Sequence, residues 1–68
     1  MDETIIYRGR PFRLERPTAI SLMRRAVAEH EVGNGLTARR LVSLAVRTQA
    51  GLCTSAEALD AAGALFAN

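Results

Sequence analysis

Residues 12 to 26 read FRLERPTAISLMRRA, and the period of the apolar residues changes inside that stretch. Phe12 and Leu14 alternate with Arg13 and Glu15, as on a strand with one face turned inward. After Pro17 the apolar residues recur at helical spacing. A strand this short leaves backbone donors and acceptors open on both edges, so something must pair with it. Two partners are available: an earlier stretch of the same chain, or the same stretch of a second copy. Thr4 to Arg8 (TIIYR) has the β-branched and aromatic residues of a strand and supplies the first option. Pro11 lacks an N–H that a Gly9-Arg10 turn would use, which favours a longer loop over residues 8 to 11.

The rest of the chain reads as three short helices. Pro17 suits a first helical turn and Thr18 a cap. Ile20, Met23, Val27 and His30 form one stripe, widened by Leu22 and Ala26. Gly33-Asn34-Gly35 stops that helix, and Leu36-Thr37 opens the next, with Thr37 as cap and Leu36 stapled onto Leu41. Leu41, Val42, Leu44, Ala45 and Val46 give the second helix a broad apolar face, and Gly51 ends it. Thr54-Ser55-Ala56-Glu57 is a capping box before an alanine-rich third helix through Leu59, Ala62, Leu65 and Phe66. The fold class is therefore α+β, mostly α. One small domain spans residues 1–68: an arm or first strand over 1–10, a strand-helix-helix unit over 11–50, and a C-terminal helix over 54–67.

Size limits what such a chain can do alone. A domain of 68 residues buries only about 60% of its unfolded surface. Twelve of its apolar residues are alanines, which bury little each. Cys53 is the single cysteine, so no intrachain disulfide helps. A homodimer is the expected further source of stability. The lone thiol, the acidic start MDETIIYR and the lack of an apolar run of about 18 residues point to a soluble, cytoplasmic protein without a membrane partner.

Charge is distributed unevenly. All nine basic residues are arginines and all lie in residues 1–50, against five acids; residues 51–68 hold only Glu57 and Asp60. Arginine presents a planar fork of donors that suits phosphates, carboxylates and guanine edges. No catalytic constellation emerges: there is one histidine, and no phosphate-binding glycine loop. Glu29 and Glu31 flank His30, but adjacent helical residues do not converge on one point. No cofactor or metal ligand set follows, and the expectation is a non-enzymatic protein.

The order FRL, ERP, amphipathic helix, GLTARRLV resembles the ribbon–helix–helix family of DNA-binding regulators over residues 11 to 48. The resemblance implies a dimer in which Phe12 and Leu14 lie on a strand paired with its twin, Pro17 starts the first helix, and Gly35, Thr37, Leu41 and Val42 form the entry to the second. It also implies a repressor or antitoxin role on duplex DNA. Arg13 would then face the bases, Glu15 accept from cytosine, Thr37 hold a phosphate, and Arg39 and Arg40 lie near the backbone. The alternative, an intrachain hairpin followed by helices, is similar to small phage tail-assembly chaperones and host-takeover proteins. It implies a protein partner docked at Leu59, Leu65 and Phe66.

Overall fold

The computed structural model describes residues 2–67. Strands β1 (Glu3–Tyr7) and β2 (Arg10–Leu14) are followed by helices α1 (Pro17–Glu31), α2 (Gly35–Gln49) and α3 (Ser55–Phe66). The fold is α+β and mostly α, as the sequence indicates. β1 and β2 pair antiparallel within the chain, with Glu3 opposite Leu14, Ile5 opposite Phe12 and Tyr7 opposite Arg10. Of the two pairings the sequence left open, the intrachain hairpin is the one found. β1 occupies the edge of β2, and Phe12 lies beside Ile5 rather than beside a second Phe12.

The turn is tighter than the sequence reading allows. Arg8 and Gly9 alone connect the strands, with φ of 52° and 77°. Two successive positive φ values are what a two-residue hairpin turn of type I′ requires, and its twist matches that of the strands. The closing pair, Tyr7 and Arg10, is the hydrogen-bonded kind, so pairs alternate from there. Pro11 and Arg13 then direct their backbone groups away from β1. The missing N–H of Pro11 costs the ladder nothing, which is why the longer loop is unnecessary.

The inner face of the hairpin carries Ile5, Tyr7, Phe12 and Leu14 onto the helices. α1 contributes Ala19, Ile20, Leu22, Met23 and Ala26, and α2 contributes Ala38, Leu41 and Ala45. α3 adds only Ala58 and Ala62. Alanine at these contacts lets the helix backbones approach closely, though each buries little apolar area. The resulting body measures 30 × 27 × 15 Å. One dimension is barely more than a helix diameter, so its recesses are grooves between elements rather than deep cavities.

Several caps differ from the sequence reading. α1 begins after Arg16, with Pro17 at the first helical position and no side-chain cap, so Thr18 lies inside the helix. The side chain of Gln49, from the last turn of α2, instead anchors the chain just before the helix: its Oε1 accepts from the N–H of Glu15 at 2.8 Å and of Arg16 at 3.0 Å. α2 begins at Gly35 with Asn34 as its N-cap residue, so Thr37 is in its first turn and not the cap. Asn34 donates from Nδ2 to Glu29 Oε1 instead of capping. Leu36 is 57% exposed and does not staple onto Leu41, and Val46 lies outside the apolar face. Gly33 and Gly51 take positive φ after α1 and α2. The Thr54–Glu57 capping box forms reciprocally, at 3.1 Å and 2.9 Å. Thr48 is buried inside α2, where its Oγ1 donates to the Leu44 carbonyl at 2.7 Å.

Candidate functional site

The arginines divide by whether a carboxylate holds them. Arg13 pairs with Asp2 at 2.8 Å, Arg24 with Glu3, and Arg25 with Glu29 at 2.9 Å. The Arg13 guanidinium holds the Asp2 carboxyl below its ordinary range, chiefly through the hydrogen bond, and Asp2 in turn raises Arg13. Two hydrogen bonds, first from Asn34 and then from Arg25, likewise lower Glu29. Among the described residues, Arg8, Arg10, Arg16, Arg39, Arg40 and Arg47 have no ion-pair partner. Three of these six project from α2, a helix without a single acidic residue.

Two recesses lie on either side of α2. The first, of about 320 Å³, is bounded by Tyr7, Arg8, Arg10, Phe12 and Val42 at the tip of the hairpin. The Arg10 guanidinium stands 5.7 Å from the Phe12 ring centre and covers part of its face. Beside it, Tyr7 meets His30 edge to face at 5.5 Å. The Tyr7 hydroxyl is buried and has no hydrogen-bond partner among the described residues.

The second recess runs between α2 and α3. It is a groove of about 230 Å³ lined by Arg40, Ser43, Leu44, Arg47, Ala61 and Leu65. Arg40, Leu44 and Arg47 recur at four and three residues, so helix geometry alone puts them on one side of α2. Ala61 and Leu65 do the same on α3. The floor is apolar and α2 supplies two guanidinium groups. Glu57 lies within the electrostatic reach of Arg47, but its carboxylate is engaged by the Thr54 N–H, the main cause of its lowered pKa.

The residues expected from the ribbon–helix–helix resemblance do not form one surface. Arg13 lies on the hairpin face turned away from the helices and is neutralised by Asp2. Glu15 follows β2 in the segment held by Gln49. Thr37 is half-buried in the first turn of α2, and Arg39 and Arg40 are exposed about 100° apart on that helix. The docking trio divides as well. Leu65 enters the α2–α3 groove, whereas Phe66 packs under Arg25 of α1, with the guanidinium 4.4 Å from its ring centre. Leu59, seven residues before Phe66, shares that second stripe and is exposed.

The structure thus joins Arg40 and Leu65, which the sequence assigned to rival partners. It adds Arg47, which the sequence leaves for solvent or a ligand, Leu44, which the sequence places on the apolar face of the second helix, and Ser43 and Ala61, to which the sequence gives no site role. Their signal was available in part: arginine, leucine and arginine at helical spacing on a face free of acids. The chain matches no protein family, no curated protein and no solved structure.

Proposed function

We propose that this chain is a small protein-binding module, without enzymatic activity, whose α2–α3 groove receives an apolar segment flanked by carboxylates. The observation that carries this reading is the lining: Leu44, Ala61 and Leu65 beneath Arg40 and Arg47. At about 230 Å³ the groove falls below the usual range of about 300–1,000 Å³ for a small-molecule site. It suits one or two side chains of a peptide. Leucine-sized anchors would displace water from the apolar floor, and partner carboxylates would meet guanidinium groups that the acids among the described residues leave open. A chaperone or inhibitor of another protein is the class of role this surface serves, and a cytoplasmic setting keeps the Cys53 thiol reduced.

A second reading, a regulator bound to duplex DNA, draws on Arg8, Arg10 and Arg39, which form no ion pair among the described residues. Against it stands the engagement of Arg13, the intended base reader, by Asp2. The experiment that separates the readings is capture from nuclease-treated lysate by the full chain and two variants. On the protein-binding reading, a discrete partner survives nuclease, survives Arg39→Glu, and is lost with Arg40→Glu/Arg47→Glu. Capture that vanishes with nuclease and weakens equally in both variants overturns it in favour of DNA.

A further inference from the structure

The hairpin has two outer edges, and the chain treats them differently. On β2 the alternation of pairs turns Pro11 and Arg13 outward. Pro11 has no N–H to offer, and just beyond the strand the Glu15 N–H is taken by Gln49 Oε1. That edge is blunted in the way natural sheets protect themselves. On β1 the outward residues are Thr4 and Ile6. Both side chains are exposed, Ile6 at 62%, and among the described residues no hydrogen bond outside the hairpin ladder reaches either backbone. Both residues are β-branched, and the strand has no proline, lysine or bulge. Such an edge is a template for another strand.

We propose that the occupant is β1 of a second copy, paired antiparallel about a twofold axis through Ile5. In this register Thr4 faces Ile6 of the second copy, and each pair exchanges N–H···O=C bonds in both directions. Ile5, half-buried on the inner face, meets its own mate and extends the apolar underside of the sheet. Asp2 comes opposite Arg8 of the second copy at each end; Arg13 of its own chain engages Asp2 Oδ2, which leaves Oδ1 for a guanidinium that has no ion pair among the described residues. A register centred on Thr4 instead places Asp2 against Ile6. One centred on Ile6 places Thr4 against Arg8 and carries Asp2 past the turn. Charge therefore selects the Ile5-centred pairing, and the two hairpins become one four-stranded sheet. This dimer uses β1, whereas the ribbon expected from the sequence would have used β2. It is independent of the α2–α3 groove.

Sedimentation equilibrium from micromolar to millimolar concentration, with amide hydrogen exchange on the same full-length protein, tests it. The expected result is an apparent mass rising from 7.4 kDa toward twice that value. The Thr4 and Ile6 amides should become protected in parallel. Ile6→Pro removes an outward N–H that the interface uses twice and the intrachain ladder does not. It should weaken dimerisation about tenfold or more while leaving the far-UV spectrum unchanged. A monomer at every concentration, with both amides exchanging freely, overturns the proposal. So does a dimer whose Thr4 and Ile6 amides stay unprotected, or one that Ile6→Pro leaves intact. The exchange measurement on the unaltered chain decides the matter even if Ile6→Pro fails to fold.

Discussion

Replacing Gln49 by alanine isolates the contact that joins the hairpin to the helices. Its Oε1 accepts from two backbone N–H groups, Glu15 at 2.8 Å and Arg16 at 3.0 Å, at the start of a helix that has no side-chain cap of its own. Each such bond contributes a net 0.5–1.5 kcal/mol in order of magnitude, and water at this exposed site recovers part of the loss. The expected cost of Gln49→Ala is therefore about 1–2 kcal/mol, similar to losing a helix cap. A chain of this length has a total stability of roughly 3–10 kcal/mol, so the loss is a large share. At about 4–8 °C per kcal/mol for a domain of this size, Tm should fall by about 5–15 °C. Gln49→Glu keeps the acceptor and puts negative charge at the start of α1, where the helix dipole favours it. That variant should melt near the parent. Thermal unfolding followed by circular dichroism measures both. If Gln49→Ala melts within about 2 °C of the parent, the side chain does not fix the junction and the reasoning fails.

Three further outcomes follow from the hairpin and the caps. Tyr7→Phe removes a buried hydroxyl with no partner among the described residues, so it should leave stability unchanged or raise it by up to about 1 kcal/mol in urea unfolding. Arg8→Asn places a residue tolerant of positive φ before Gly9 and should raise Tm by a few degrees, because Arg8 sits at φ 52°. Glu57 has a lowered pKa, mainly because the Thr54 N–H bonds its carboxylate. Its contribution is thus fully present above the ordinary glutamate value and is lost as pH falls through the folded value. Acid titration of Tm should show a shallower decline in Glu57→Gln, which retains the box without the charge.

Much of the fold is legible in the sequence because local rules act alone there. Thr54 to Glu57 is a short-range motif that forms wherever a helix follows, and Gly33 and Gly51 take the positive φ that glycine permits. The turn shows how one residue changes a strand's reading. Counting from Gly9-Arg10 puts Pro11 on the paired side, whereas counting from Arg8-Gly9 turns it outward. The start of α2 was misplaced because Gly35 reads as a breaker, yet Asn34 and Gly35 already belong to the helix entry. The Gln49 contact spans 33 and 34 residues, beyond any local pattern. The groove was hidden for the same reason. Arg40 and Leu65 carry their chemistry in the sequence, but only the return of α3 along α2 makes them neighbours.

The proposed protein-binding role rests on recognition of an acidic, apolar peptide by the α2–α3 groove. It is tested most directly by ¹⁵N chemical-shift titration of the full chain with a short helical peptide of leucine and glutamate, and separately with a short mixed-sequence DNA duplex. Peptide shifts should centre on Arg40, Ser43, Leu44, Arg47, Ala61 and Leu65 and disappear in Arg40→Glu/Arg47→Glu. A silent groove with the peptide, together with saturable, salt-sensitive shifts at Arg8, Arg10 and Arg39 with the duplex, would contradict it.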